Sequence, residues 1–436
     1  MAPPSYTTPQ PSDNHKPRSA ADHRCLESLL HSARPFLRGE LHAVDENLPR
    51  LVSVLQAAGA GECWHKHNSF FDHLFGVYRT LKPWNAPDVV CLCALFHSAY
   101  SNSYVNLAIF PPSPTGRDTV RGHVGAAAER LIHLFCVVPR HSITHGLLLS
   151  SYSDSELIED LRLSAISIEK LRGGGEAGED EIWRNKIRSI IPAEGVTVKH
   201  IKTGEDIQLS RRLVATFLLM TISDISESLF GFHDHLFDNR DGRLDCSGNN
   251  VLTSLWPGIA KPGLCMHTFS RMAAIYSLLV REEEMYLKSL KNPAAAEGRD
   301  EDLELVVPPV FDNCSKVLDP DEQIAARDLY WKAVCDVAEI GVDKAEEMLV
   351  ESVARNPFVG EGYVVLAQIY LGKGEFEAAV EAAERGLRLL LEWGSPRDKR
   401  LTWQAWVSWV RVLLMKAKEK SWPEKAWDLQ NLGLVA

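Results

Sequence analysis

The chain has 436 residues, 45% of them hydrophobic and 24% charged, with a formal net charge of −11. That usage is ordinary for a globular protein with room for two or three cores; it excludes a fibrous chain and gives no basic footprint, so no nucleic acid is expected as a partner. The apolar run 213–222 falls far short of the roughly 20 residues needed to cross a bilayer, so no spanning helix and no membrane partner is expected.

Residues 1–20 are rich in Pro, Ser and Thr and lack an apolar h-region, so they read as a disordered tail without a secretion signal. Asp13 and the scarcity of arginine argue against a transit peptide while leaving organellar import open, and the cytoplasm is the expected location. The nine cysteines form no C-x-x-C pair, and Cys91 and Cys93 point to different faces of a helix. Reduced, packed thiols are expected.

The next stretch, 21–290, reads as one helical domain. Around His73, the residues Phe70, Leu74, Val77, Tyr78 and Leu81 recur at helical spacing, so the imidazole shares the apolar stripe. Around His97, Val89, Val90, Cys93 and Phe96 form a face that His97 and Tyr100 extend. Further on, Asp224 lies between Thr221 and Ser228 on the face begun by Phe217. An ionisable group held in such a stripe must be paired, hydrogen-bonded or bound to a metal. Two neutral imidazoles and a carboxylate suit a first-row divalent ion such as Zn, Mn or Fe. The plainer alternative is that each histidine is a hydrogen-bonded core residue and Asp224 pairs locally.

Other groups in this domain are secondary candidates. His65 and His67 sit two apart before the first of these helices, and His233 and His235 follow the Asp224 helix. Arg117 and Arg121, in Gly116-Arg117-Asp118-Thr119-Val120-Arg121, follow the loop after His97; they are either basic groups for an anion or solvated charges opening the next helix. Between them and Asp224, 196–201 alternates, turns at Lys202-Thr203-Gly204-Glu205 and returns through 206–209, which predicts one β-hairpin. Ser210 is then placed to N-cap the Asp224 helix. Gly173-Gly174-Gly175 with its acidic followers reads as a mobile loop.

A helical His, a His-Asp pair closing an apolar helix some twenty to thirty residues later, and an Asp on a distant helix resemble the signature of the HD-domain superfamily of metal-dependent phosphohydrolases. The resemblance spans residues 60 to 290, with His73, His97 and Asp224 matching the ligands. The pair here reads His97-Ser98, so a hydroxyl stands where that family has a metal-ligating carboxylate. The wording is similar to a less characterised HD-like branch through Asp72-His73-Leu74, Trp84, Phe96-His97-Ser98-Ala99-Tyr100, Ala128-Glu129-Arg130-Leu131, the hairpin near Thr203-Gly204-Glu205, Ser223-Asp224 and Pro262-Gly263. The resemblance implies one metal or none, since serine cannot bridge two cations, and activation of a coordinated water toward phosphorus. Arg117 and Arg121 would then be the catalytic cations and Asp72, Ser98 and Tyr100 further ligand or supporting groups; His67 and His233, whose pairs do not resemble the family's motif, are added as second-rank ligand candidates.

Pro, Ala and acidic residues mark 291–319 as a linker. Residues 320–436 carry a weak period of 34, with Ala345 and Ala379 that far apart, and resemble tetratricopeptide repeats. The clearest unit runs through Tyr363, Leu366, Ala367, Tyr370, Gly374, Ala379 and Gly386. Trp403, Trp406, Val407, Val410 and Leu414 form the stripe of a capping helix; Trp409 falls off it, as an anchor for a partner or a contact with the first domain. With fewer than three good repeats, this module is expected to lean on the first domain.

The expected architecture is therefore all-α: an HD-like helical domain with one small β-hairpin, followed by a TPR-like helical repeat domain. Two functions follow. One is a metal-dependent hydrolase of a phosphorylated small molecule or nucleotide with a protein partner on the repeats; the other is a noncatalytic interaction scaffold with a degenerate site.

Overall fold

The arrangement begins with Ser69, whose Oγ accepts a hydrogen bond from Asp72 N and so starts helix α4 (Phe70–Leu81). The computed structural model describes residues 25–65, 68–103, 107–175, 178, 181–228, 267–290, 300, 303–314, 319–425, 428–429 and 432–433. Helices α1 (Leu26–Arg38), α2 (Leu41–Val44) and α3 (Leu48–Ala57) precede α4. They are followed by α5 (Asp88–Leu95), α6 (Pro114–Val124), α7 (Ala126–Val137), α8 (Asp154–Arg172), α9 (Ile182–Ile190), α10 (Arg211–Ser228) and α11 (His267–Ser289). Phe70, His73, Leu74, Val77, Tyr78 and Leu81 of α4 are buried, as the stripe requires. In α5, Val90, Cys91, Cys93, Ala94 and Leu95 are buried on several faces, which makes it a central helix. The first half closes as α10 packs on α4 and on α11, and α11 packs on α8.

Two details differ from the sequence expectation. α5 ends at Leu95, so His97 stands in the turn after the helix; its Nδ1 donates to Ala94 O at 2.7 Å, a carbonyl that the His97 N–H also reaches at 3.4 Å. A second antiparallel pair, β1 (Trp64–His65) with β2 (Asn68–Ser69), adds to the one predicted hairpin and brings His65 alongside α4. The predicted hairpin, β3 (Val196–Lys199) with β4 (Asp206–Leu209), pairs Val196 with Leu209 and Lys199 with Asp206. Ser210 caps α10 as expected, its Oγ accepting from Leu213 N at 3.1 Å. These are the two small sheets of an otherwise helical chain among the described residues. No helix there is long and apolar enough to cross a membrane.

Within the stretch expected as a linker, the described residues 303–314 reach the core, where Leu303, Val310, Phe311 and Cys314 are buried. They include α12 (Pro309–Cys314), whose Phe311 is fully buried with its ring edge-on to Trp84 and Tyr276, at 5.2 and 5.8 Å between centroids. An aromatic side chain of that size gains too much from burial to be left on a tether.

The C-terminal half comprises α13 (Pro320–Cys335), α14 (Val337–Ile340), α15 (Val342–Arg355), α16 (Gly360–Lys373), α17 (Phe376–Trp393) and α18 (Trp403–Lys418). α13 packs on α15, and α16 on α17. The small residues let α16 and α17 close up: a Cβ on Gly386 would meet Val364 Cγ2 at 2.9 Å and Gly360 O at 3.0 Å. α18 packs on α17, and the Trp409 ring lies 6.3 Å from that of Trp422.

The two halves share one apolar core. Trp84 packs against Trp393 at 6.2 Å, and its Nε1 donates to Glu392 O at 2.8 Å. Gly394, at φ 66°, brings the chain against Thr80, where a Cβ would sit 2.9 Å from Thr80 Cα.

Candidate metal centre

Three chain segments deliver the site. α4 supplies His73, the turn after α5 supplies His97, and α10 supplies Asp224. His73 Nε2 lies 3.3 Å from His97 Nε2 and 3.3 Å from Asp224 Oδ1, and His97 Nε2 lies 4.0 Å from Asp224 Oδ2. Both imidazoles are buried, and the Asp224 side chain is 14% exposed.

The tautomer of His97 follows from its partner. A carbonyl only accepts, so Nδ1 carries the proton given to Ala94 O, and in its neutral form the ring presents the bare lone pair of Nε2 to His73 and Asp224. Metal-ligating histidines are commonly oriented this way, by a backbone carbonyl on the other ring nitrogen. His73 is held from the side: the His65 ring lies 4.6 Å from it, and Phe70 stacks at 6.3 Å.

Asp224 has a second partner that the sequence did not signal. Arg140 Nη1 donates to Asp224 Oδ2 at 3.1 Å, while its guanidinium lies 3.9 Å over the Phe135 ring. Burial alone would raise the Asp224 carboxyl, but the His73 hydrogen bond and the neighbouring His97 and Arg140 hold it well below the usual carboxylate range. The group is an anion at neutral pH.

The spacing fits a cation. Ligand atoms about 2.0–2.1 Å from zinc and spread tetrahedrally are about 3.3–3.4 Å apart. Both contacts of His73 Nε2 have that length, and all three ligand atoms lie within 4.8 Å of one another. The buried His73–His97–Asp224 group could thus hold a metal ion; its identity is not fixed by these residues.

The supporting candidates fall elsewhere. Ser98 is buried and its Oγ accepts from Asn102 Nδ2 at 2.6 Å, so the hydroxyl in place of a ligating carboxylate is already engaged. Asp72 closes the α4 N-terminus reciprocally, accepting from Ser69 Oγ at 2.6 Å while its own N–H donates to that Oγ; it serves the cap and not the triad. Tyr100, Arg117 and Arg121 meet at the buried Glu129. Tyr100 OH donates to Oε1 at 3.1 Å, Arg117 to both oxygens at 2.6 and 3.0 Å, and Arg121 to Oε2 at 3.2 Å. Both arginines expected to hold a leaving group are therefore spent on binding α6 to α7 through Glu129, a residue the sequence offered only as part of a motif. Burial works to raise the Glu129 carboxyl, but these hydrogen bonds hold it below the ordinary value. His67, His233, His235 and Pro262-Gly263 lie outside the described residues, as do residues 1–20.

Residues 54–140 match a family described as a domain of unknown function (DUF6817). That stretch contains His73, His97 and Arg140 and stops short of Asp224. Neither the curated proteins nor the solved structures contain a match to the chain.

Proposed function

We propose that the His73–His97–Asp224 group binds one divalent ion, zinc, manganese or iron, and that the protein is a metal-dependent hydrolase of a phosphorylated small molecule or nucleotide. The observation that carries this reading is the convergence of the His97 Nε2 lone pair, its proton fixed on Nδ1, with His73 Nε2 and the Asp224 carboxylate. Charge points to the substrate class. Asp224 is balanced by Arg140, so a divalent ion among neutral imidazoles would leave the site net positive and favourable to a phosphoryl anion. Such an ion would supply Lewis-acid polarisation of a phosphoryl oxygen. His97 Nε2 offers its lone pair, His73 Nε2 would offer one on giving up the proton it shares with Asp224, Arg140 orients Asp224, and the buried setting limits competing water. Ser98 offers no carboxylate to bridge a second ion, so the centre is mononuclear. The C-terminal helices, with their resemblance to tetratricopeptide repeats, would take a protein partner, in a cytoplasmic setting.

The test is the metal content of protein purified without chelator, together with hydrolysis of p-nitrophenyl phosphate in added Mn2+ or Zn2+. One equivalent of metal and measurable turnover are expected, both lost in His97→Ala; wild-type protein without stoichiometric metal removes the reading. The alternative of a noncatalytic scaffold draws on Ser98 being engaged with Asn102. Ser98→Asp separates the two, since a dormant hydrolase gains turnover and a scaffold does not.

A further inference from the structure

Charge and space coincide a second time in a cleft of about 490 Å3 between the α4–α10 face and the 394–402 loop after α17. Arg79 of α4 and Glu227 of α10 line it, Glu227 one turn after Asp224 on its helix. Gly76 permits the approach of the two helices, since a Cβ there would collide with the Glu227 side chain. Asp72 lines the same side, and the facing wall carries Lys399, Arg400 and Trp403.

The charges of this region balance. Arg400 donates to Asp398 at 2.6 to 3.0 Å, and the buried Glu361 and Arg397 next to that pair add one group of each sign. Asp72 and Glu227 then stand against Arg79 and Lys399 along the cleft, two of each sign. A bare anion or a bare cation arriving there would upset that balance, whereas a ligand of zero net charge would not.

Two of these groups, Arg79 and Glu227, are buried without closing on each other. They are 7% and 6% exposed, yet Arg79 Nη2 comes no nearer to Glu227 Oε2 than 3.7 Å, too long for a hydrogen bond. That buried oxygen accepts no hydrogen bond among the described residues. Arg79 Nε donates to Gly394 O at 3.2 Å, which fastens the two halves, and the Trp403 ring, 4.8 Å from the guanidinium carbon, fixes the cation in place. Elsewhere in the same protein a buried pair does close: Arg184 Nε donates to Glu282 at 2.7 Å. A buried carboxylate held short of its donor costs free energy, and here there is space beside it for a molecule that supplies the donor.

We propose that this cleft binds a free α-amino acid with an apolar side chain, its ammonium on Glu227 and its carboxylate on Arg79. Such a molecule carries a charged donor and a charged acceptor on neighbouring atoms at zero net charge, which matches an acid and a base standing side by side but unjoined. A peptide separates those two groups along its length, and a sugar brings no charge to a buried carboxylate. Phe75 and Leu401, which also line the cleft, offer apolar surface for the side chain. The site is walled by both halves of the chain and is independent of whether the triad takes a metal.

Isothermal titration of the full chain with L-phenylalanine tests it, beside 3-phenylpropionate, which lacks the ammonium, and 2-phenylethylamine, which lacks the carboxylate. Saturable binding of L-phenylalanine is expected, about tenfold or more tighter than that of either comparison compound and unchanged by His97→Ala. Glu227→Gln should abolish the lead of L-phenylalanine over 3-phenylpropionate, a change in selectivity that a merely structural role for Glu227 would not produce. No saturable binding to the wild type overturns the proposal, and so does equal affinity for 3-phenylpropionate, since the ammonium would then go unread. Loss of binding in His97→Ala with Glu227→Gln unaffected also overturns it, placing the ligand at the triad. Should Glu227→Gln fail to fold, the three compounds on the wild type decide.

Discussion

Asp224 and Glu129 are both carboxylates of the first half, both bonded to arginine and both held below the usual carboxylate range, yet their surroundings differ in kind. Glu129 is ringed by donors: Arg117, Arg121 and Tyr100 fill its oxygens. Asp224 shares its oxygens between Arg140 and His73, and beside it His97 turns an unprotonated nitrogen inward. A carboxylate met by donors is finished as a piece of scaffolding. Asp224 has donors as well, but it shares its pocket with the inward nitrogen of His97, an acceptor that a proton or a cation can join.

Substitutions at the two clusters should therefore diverge. Glu129→Gln leaves two guanidinium groups and a tyrosine hydroxyl facing an amide, and should cost roughly 3 kcal/mol in urea denaturation while leaving metal binding unchanged. Added zinc at about a hundred times its dissociation constant should protect the wild type by about 2.7 kcal/mol and His97→Ala not at all; equal protection of both would erase the distinction. Arg140→Met should tighten zinc binding about tenfold, near 1.4 kcal/mol in a chelator competition, because Arg140 competes with the ion for Asp224. Arg117→Met should leave it unchanged. The smallest effect is in pH. A carboxyl depressed in the folded state contributes stability above its unfolded value near 4, and loses it as pH falls through the lower folded value. Stability should hold from about pH 7 to 5 and decline below about 4, with a shallower decline in Glu129→Gln.

His73 and Asp224 were legible because each interrupts an apolar helical stripe, a local signal that fixes which way a side chain faces. His97 was found for a related reason, although the residue lies in the turn that ends α5; periodicity of the apolar face cannot see where the helix stops. Arg140 was not legible, since the residue that makes it part of the site lies 84 positions away. Arg117 and Arg121 were read as groups for an anion or as solvated charges; their contact with Glu129, one helix later, was not legible for the same reason. The helical fold, the β3–β4 hairpin and the Ser210 cap came from local propensity. The docking of Phe311 and the cations around Lys399 depend on contacts between distant elements, which composition does not encode.

The shared core has a consequence for how the chain is made. Trp84 and Arg79 emerge from the ribosome with the first half, but the residues that cover them, Glu392, Trp393 and Gly394, are translated some three hundred positions later. At about 5–20 residues per second, an indole and a guanidinium wait tens of seconds for their cover. During synthesis the nascent first half thus presents a sticky aromatic face that a chaperone would have to shield.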